Sequence, residues 1–312
     1  MAVPFFDARA VEAAVPPDAA YQAVRDAFVL HARGEWTMQP KLYVTNYPAG
    51  DFRAMPALGG GHALLKWVTS FPGNPARGLP TVTGLVILSD ADTGRVQAVL
   101  EAGSVTALRT GAAAVIAADT LGRSDAATAA VVGAGVNGRA VARTFLALGR
   151  RVTLWDVDAS RAREAADELG AEVAASRDEA LAADLLVTVT PGKSILLPEG
   201  SLAAGQHVSL MGADGPGKAE IAVAELRRAR LFCDDWEQAS HGGELAAAVA
   251  EGVVGPGDVT PLGAVLTGEA EGRRTDEEIT VFDSTGLAIQ DLAIAIAAYE
   301  RAGKLDLPLL EL

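Results

Sequence analysis

A glycine-rich turn lies between a predicted strand and a predicted helix near the middle of the chain. It places Gly133, Gly135 and Gly138 in a GxGxxG spacing. The first glycine permits a tight turn, the second lets the backbone approach a pyrophosphate, and the third lets the helix pack closely against the strand. The start of the helix offers free N–H groups and a partial positive charge to phosphate oxygens. The pattern predicts a dinucleotide site.

A carboxylate strengthens this interpretation, because glycine-rich turns alone are common. Asp156 ends the next predicted strand, 18 positions beyond Gly138, where a carboxylate binds the adenosine ribose hydroxyls. It would repel a 2′-phosphate, and the next residue is Val157 rather than an arginine, so we expect NAD(H). Arg161 and Arg163 on the following predicted helix leave NADP(H) as the less favoured alternative.

Three basic residues stand in apolar or β-rich surroundings, where a charge needs a partner. Arg109 lies near the start of a predicted Ala-rich helix, Lys66 lies inside a predicted strand, and Lys41 opens another strand. A guanidinium can bind a carboxylate through two hydrogen bonds, which fixes its orientation. The two lysines could instead extend outward to solvent. The arrangement suits a small anionic substrate inside an otherwise acidic protein.

A candidate for proton transfer is Asp214, which follows the predicted strand His207–Leu210. The carboxyl end of a parallel strand is where doubly wound folds place their sites. A carboxyl group there could exchange protons with an amine or a water molecule. Because glycines flank Asp214, the alternative is a plain turn residue.

The elements that must position these residues follow two patterns, with a boundary near residue 122. Before it, short β-rich runs flank the turn Asp90–Gly94, which predicts a hairpin and an antiparallel sheet. After it, strands alternate with helices, which predicts a parallel sheet with right-handed crossovers. A final predicted helix covers Gly286–Ala302. The expected fold class is α/β: a Rossmann doubly wound sheet plus an N-terminal α/β domain.

Composition narrows the function classes. The net charge of the 312 residues is −14 and half of them are hydrophobic, so nucleic acid and anionic membrane surfaces are unfavourable partners. The apolar stretches fall short of the ~20 residues of a membrane helix, and the N-terminus lacks a signal-peptide pattern, so we expect a cytoplasmic protein. Cys233 is the only cysteine and is predicted to be a buried core thiol. His241 and Glu244 have the i, i+3 spacing of metal ligands but no third partner, so we interpret them as structural or capping residues and expect no metal.

Eight segments, in order over nearly the whole chain, resemble the ornithine cyclodeaminase/μ-crystallin family, and within it the archaeal-type alanine dehydrogenases. The segments are Met38–Lys41, Gly50–Ala57, Leu64–Val68, Pro72–Val82, Ala107–Ala114, Val132–Ala140, Gly212–Glu220 and Glu277–Asp291. The resemblance implies a substrate-binding and dimerisation domain, residues 1–122 with 287–312, and an NAD-binding domain, residues 123–286. It also implies a homodimer and the interconversion of an amino acid and its imine by hydride transfer.

The resemblance also assigns roles to residues. It implies that Lys66, Arg109 and Lys41 bind the substrate carboxylate and that Asp214 and Lys66 are catalytic. Thr285 would lie where nicotinamide and substrate meet. The implied cofactor contacts, besides the glycine turn and Asp156, are Thr81, Arg109, Val136, Asn137, Thr190, Met211, Lys218 and Ser284.

Arg53 bears on the choice of substrate. Family members that resemble ornithine cyclodeaminases carry an acid at this position, whereas an arginine would repel a cationic side chain. We therefore expect a reductive amination of a small oxo acid, such as pyruvate to L-alanine, with Arg53 as a second carboxylate contact. The alternatives are a reductase of cyclic ketimines such as pyrroline-2-carboxylate or piperideine-2-carboxylate, an ornithine or lysine cyclodeaminase that retains NAD, and a binding protein without activity.

Overall fold

The computed structural model describes residues 2–213, 215 and 217–312. Its strands are β1 (Ala2–Phe6), β2 (Thr37–Met38), β3 (Leu42–Asn46), β4 (Gly50–Gly59), β5 (His62–Ser70), β6 (Val82–Asp90), β7 (Val96–Glu101), β8 (Ala129–Val132), β9 (Thr153–Trp155), β10 (Glu172–Val173), β11 (Leu185–Thr188), β12 (His207–Leu210), β13 (Arg230–Cys233), β14 (Val259–Pro261), β15 (Thr280–Asp283) and β16 (Leu309–Glu311). Its α-helices are α1 (Ala8–Ala14), α2 (Pro17–Ala32), α3 (Ala102–Leu121), α4 (Val136–Ala147), α5 (Ala159–Leu169), α6 (Arg177–Leu181), α7 (Val223–Leu226), α8 (Trp236–Gly242), α9 (Ala246–Ala250), α10 (Leu262–Leu266) and α11 (Ala288–Tyr299). Within the described part of the chain, no helix is both long and apolar enough to cross a membrane.

The chain divides into two compact units. The first is Met1–Arg109 with Leu287–Leu312, and the second is Thr110–Gly286. The division lies inside α3, whereas the change of sequence pattern placed the boundary at residue 122. The second half of α3 belongs to the second unit because it packs there: the Ala114 carbonyl accepts a hydrogen bond from Ser209.

The first unit contains a mixed sheet in the strand order β16-β1-β7-β6-β5-β4-β2, with β3 also paired to β4. Strands β4 to β7 form an antiparallel meander, as the turn chemistry at Asp90–Gly94 predicts. In that turn Asp90 accepts a hydrogen bond from the Thr93 N–H over 2.8 Å, and Gly94 has a φ of 70°. Helix α11 packs on β4, β5 and β6, so one sheet face is covered by it.

The second unit is a parallel sheet in the order β10-β9-β8-β11-β12-β15-β13-β14. The first five strands have the Rossmann order 3-2-1-4-5, and β8 lies where the strand order reverses, which is the topological switch point. The central strands β8, β11, β12 and β15 are buried along their whole length. Their burial explains why these strands are apolar, because parallel strands that are covered on both faces have no solvent-facing residues that need to be polar.

Several elements were absent from the sequence analysis. Strands β1 and β16 form an antiparallel pair between the two ends of the first unit, which periodicity cannot reveal. The sequence predicts only a buried thiol at Cys233, whereas the structure shows a strand, β13, that ends at this residue and pairs with both β15 and β14. The buried state predicted for Cys233 is confirmed, and burial raises the pKa of its thiol.

Candidate functional site

The three glycines of the GxGxxG turn have different surroundings. Gly133 has a φ of 106°, and a Cβ there would lie 2.5 Å from the Val189 carbonyl oxygen. A Cβ on Gly138 would overlap the Gly133 carbonyl oxygen, whereas a Cβ on Gly135 would meet nothing within 4 Å. Gly133 and Gly138 therefore permit a close approach of neighbouring backbone segments, whereas Gly135 borders open space at the start of α4. Gly135 caps α4 without a side-chain hydrogen bond, so a ligand oxygen has access to the helix N–H groups.

Asp156 follows β9 and is only 7% exposed. Its Oδ2 accepts a hydrogen bond from the Ala134 N–H over 2.8 Å, and its Oδ1 accepts one from the Asp158 N–H over 2.9 Å. Arg161 lies 3.3 Å from the same Oδ1, while the neighbouring Val157 is 88% exposed. Asp156 thus ties the glycine turn to the end of the adjacent strand, a structural task that the sequence interpretation did not foresee.

Further predicted cofactor residues follow the carboxyl ends of adjacent strands β11, β12 and β15, namely Thr190, Met211 and Ser284. The Thr190 hydroxyl and N–H both donate to Oε1 of Glu220, at 2.5 and 2.9 Å. Ser284 donates to Oδ2 of Asp234 over 3.1 Å. The three residues share one edge of the sheet, the edge that carries ligand sites in this fold.

Asp234 organises the segment that leaves β15. Its Oδ1 accepts a hydrogen bond from the Thr285 hydroxyl over 3.1 Å, and its Oδ2 accepts one from the Gly286 N–H over 2.7 Å. Lys218 lies beside Gly192, where an added Cβ would be 3.0 Å from the lysine Cβ. Val136 and Asn137 form the first turn of α4. Asp214 lies outside the described residues.

Two acids, Glu220 and Glu244, are buried in the second unit, and Oε2 of Glu220 would lie 2.5 Å from a Cβ added to Gly212. Oε2 of Glu244 accepts hydrogen bonds from the backbone N–H of Glu220 over 2.8 Å and of Ile221 over 3.4 Å. Burial, followed by the negative charge of Glu220, raises the pKa of Glu244 to about 9. Burial also raises the pKa of Glu220. Glu244 is therefore a protonated carboxyl group that accepts hydrogen bonds from the backbone, in agreement with its interpretation as a structural residue. Among the described residues, no three His, Cys, Asp or Glu side chains are grouped as a metal site would require.

In the first unit, Lys66 points to the covered face of the sheet and is 1% exposed. Its Nζ lies 2.8 Å from Oδ1 of Asp291, and Nε of Arg109 lies 3.5 Å from the same oxygen. For Lys66, the alternative of a side chain that extends to solvent is wrong. Burial lowers the pKa of Lys66 to about 8; Asp291 opposes this shift, and the charges of Arg109 and Arg53 add to it.

Arg53 belongs to the same covered face as Lys66. Met55 on β4 is the register partner of Lys66, and Arg53 lies two positions before Met55, so its side chain is on the same side of the sheet. The Arg53 Nε donates to Oδ1 of Asp51 over 2.6 Å, and its guanidinium carbon lies 5.4 Å from the ring centroid of Tyr43. Lys41 directly precedes β3, the strand that carries Tyr43. The first unit therefore brings Arg53, Lys66 and Arg109 together with the carboxylates of Asp51 and Asp291.

Thr81 directly precedes β6, and its carbonyl accepts a hydrogen bond from the Phe71 N–H over 2.8 Å. Asp291 is the residue of this cluster that the sequence analysis missed as a site residue. The one signal in the sequence was a carboxylate on the apolar face of the predicted final helix, a position where a charge requires a partner.

A parallel sheet in the Rossmann order, with a glycine turn at its switch point, defines a dinucleotide-binding unit. The profile of the ornithine cyclodeaminase/mu-crystallin family matches residues 5–305. The chain belongs to this family.

The similar proteins include an alanine dehydrogenase from Archaeoglobus fulgidus, 43% identical over 302 residues that cover 94% of this chain and 92% of that protein. A solved archaeal alanine dehydrogenase dimer with bound NAD is 40% identical and has a TM-score of 0.93. The match covers 100% of this chain and 99% of the solved chain. The Δ1-pyrroline-2-carboxylate reductase of Thermococcus litoralis, solved with NADH and L-proline, is 26% identical with a TM-score of 0.90, over 97% of this chain and 98% of its own.

Proposed function

We propose that this protein is an NAD-dependent amino-acid dehydrogenase that forms L-alanine from pyruvate, an ammonium ion, NADH and a proton, with NAD⁺ and water as the other products. The observation that carries the proposal is the buried cluster in which Lys66 and Arg109 both lie within 3.5 Å of Oδ1 of Asp291. Its two cations and one carboxylate leave a net positive charge for a substrate carboxylate. The 43% identity to an alanine dehydrogenase over 94% of the chain supports the choice of substrate.

NAD(H) is the cofactor, and it supplies or accepts the hydride when bound. The residues fit this group because open space lies at Gly135 and the α4 N-terminus is free of a side-chain cap. We assign the pyrophosphate to the turn 133–138 with Val136 and Asn137, and the adenosine ribose to Asp156. The proposed contacts to the remainder of the cofactor are Thr81, Arg109, Thr190, Met211, Lys218 and Ser284.

Residues of the chain bind and orient the substrate and transfer protons to and from it. Arg109 and Lys66, with Lys41, bind the carboxylate of the oxo acid, and Thr285 contacts the substrate. Asp214 moves the protons as ammonia adds and water leaves. Lys66 is also proposed as catalytic, because a lysine whose pKa is about 8 can hold or release its proton near neutral pH.

A reductase of cyclic ketimines is the second candidate, supported by the similarity to the Thermococcus reductase that was solved with L-proline. A cyclodeaminase is disfavoured by Arg53, whose charge is buried at 8% exposure and would repel a substrate with a cationic side chain.

The test is NADH oxidation at 340 nm with pyruvate plus ammonium, then with pyrroline-2-carboxylate and piperideine-2-carboxylate. We expect turnover with pyruvate and ammonium that collapses in Asp214→Asn. Turnover with a cyclic imine alone would establish the second candidate. Ammonia release from ornithine or lysine without net NADH change would establish a cyclodeaminase and contradict the inference from Arg53.

We further propose that the first unit binds substrate and forms a homodimer and that the second binds the cofactor. The sheet face opposite Lys66 exposes Leu58, Leu65, Trp67 and Leu85, each by 41% or more, and a contiguous apolar face of this kind marks an association surface. Trp67→Glu should shift the mass measured by light scattering from dimer to monomer. A cytoplasmic location belongs to this proposal, and the net charge of −14 argues against nucleic-acid partners.

A further inference from the structure

Asp291 is a fully buried carboxylate at the start of α11. A single oxygen, Oδ1, lies 2.8 Å from the Lys66 ammonium and 3.5 Å from the Arg109 guanidinium. Lys66 comes from β5 and Arg109 from α3, so one carboxylate brings together cations from two different elements. Burial of three charges is expensive, and a buried ion pair is weak evidence for a purely stabilising role.

The hydrogen bonding around Asp291 is incomplete. Among the described residues, Nε of Arg109, Nε2 of Gln290 and Oδ2 of Asp291 are buried atoms without a hydrogen bond. Buried polar atoms are normally satisfied in native proteins. Two donors and one acceptor therefore lie together without a hydrogen bond, so the described residues leave the polar groups around Asp291 incompletely paired.

We propose that Asp291 is a positioning residue that keeps Lys66 protonated and aligned with Arg109, so that both cations meet the substrate carboxylate. This inference rests on the proposed function, because it takes an oxo or imino acid as the ligand. Asp291 itself touches neither substrate nor cofactor in this arrangement; it acts through the two cations.

The charges around Lys66 explain why such a residue is needed. From β4 it faces Arg53, whose own partner is Asp51, and from α3 it faces Arg109. Its register partner on β6 is Val86, which carries no charge. Burial and the two arginines all favour loss of the proton from Nζ, and Asp291 on α11 is the group that opposes this loss. The pKa of Lys66 is about 8 with Asp291 in place, so removal of the negative charge should leave Lys66 neutral at pH 7 to 8.

The experiment measures the titration of Lys66 directly. The chain has five lysines, so selective ¹³C-lysine labelling gives few NMR signals, and Lys66→Met assigns the signal of interest. In the wild type Lys66 should titrate near pH 8. In Asp291→Asn its pKa should fall by about 1 to 3 units, the usual effect of an opposite charge at this distance. The alkaline limb of the pH profile of kcat/KM should move in the same direction.

Two variants separate positioning from general damage. Asp26→Asn removes an exposed carboxylate from α2 of the same unit and should leave the Lys66 titration unchanged. Asp291→Glu keeps the negative charge and should restore most of the pKa and of the pH profile, even if Asp291→Asn folds poorly. NADH affinity checks that the second unit of each variant is intact.

The outcomes distinguish this inference from the proposed function. A Lys66 whose pKa is the same in the wild type and in folded Asp291→Asn overturns the role of Asp291. A Lys66 pKa that falls as expected, in an enzyme that turns over a cyclic imine but not pyruvate, supports the role of Asp291 and contradicts the alanine dehydrogenase assignment.

Discussion

The Ala134 N–H donates a hydrogen bond to Oδ2 of Asp156 over 2.8 Å, which joins the glycine turn after β8 to the residue that follows β9. The carboxylate proposed to bind the ribose therefore also fixes the turn proposed to bind the pyrophosphate. A substitution that removes only the charge of Asp156 should therefore have a different effect from one that also removes its oxygen atoms.

Asp156→Asn removes the charge and keeps an oxygen that can accept from Ala134. Without the negative charge, a 2′-phosphate is no longer repelled, and Arg161 at 3.3 Å becomes available to pair with it. We expect the ratio of kcat/KM for NADPH to that for NADH to rise about tenfold or more, corresponding to roughly 1.4 kcal/mol. Asp158→Asn, which changes the N-cap of α5 and leaves Asp156 intact, is the control. An unchanged ratio in Asp156→Asn would show that Asp156 does not select the cofactor.

Gly135→Ala and Gly138→Ala make a matched pair, because the same methyl group meets open space at one position and a carbonyl oxygen at the other. Gly138→Ala should lower the free energy of unfolding by about 1 to 3 kcal/mol, the usual cost of overpacking. Gly135→Ala should leave stability within about 0.5 kcal/mol and weaken NADH binding, since its methyl group occupies the space the phosphates need. Urea denaturation and NADH fluorescence titration measure the two effects, and equal losses of stability would contradict the distinction.

The sequence predicted local features well. The parallel strands β8, β11 and β12, the hairpin at Asp90–Gly94 and the burial of Cys233 all follow from periodicity, turn chemistry and apolar runs, which act over a few residues. The contacts that define the candidate site do not. Asp291 is 225 positions from Lys66, and the local sequence around either residue does not indicate that the two are in contact.

The position of β13 shows the same limit at the level of the sheet. It lies between β15 and β14, and strand order of this kind depends on the packing of whole elements rather than on local propensity. Glu244 is a third example, because the sequence shows only a carboxylate three positions after a histidine. Its partners are backbone N–H groups of Glu220 and Ile221, about which side-chain types carry no information.

Glu244→Gln should change the pH dependence of stability. The pKa of Glu244 is raised to about 9 in the folded protein from an ordinary 4.5, so between these values the folded state binds one more proton than the unfolded state. The contribution to stability is complete below pH 4.5 and is lost as the pH rises toward 9. Glutamine cannot ionise, so urea midpoints measured from pH 5 to 9 should decline less steeply in the variant. Glu251→Gln, at an exposed position after α9, should keep the wild-type slope; an unaltered slope in Glu244→Gln would show that Glu244 is ionised in the fold.

Arg109→Lys keeps the positive charge but replaces a planar group of five donors with a single nitrogen. The guanidinium can lie 3.5 Å from Asp291 through Nε and still offer its terminal nitrogens to a carboxylate, whereas one ammonium cannot hold both partners in a fixed geometry. We expect kcat/KM for pyruvate to fall about 10- to 100-fold, roughly 1.4 to 2.8 kcal/mol, mainly through a higher KM. Arg33→Lys, at the exposed end of α2, should leave both constants unchanged. Wild-type kinetics in Arg109→Lys would mean that charge alone suffices, and the carboxylate would then have to be oriented by Lys66 and Lys41.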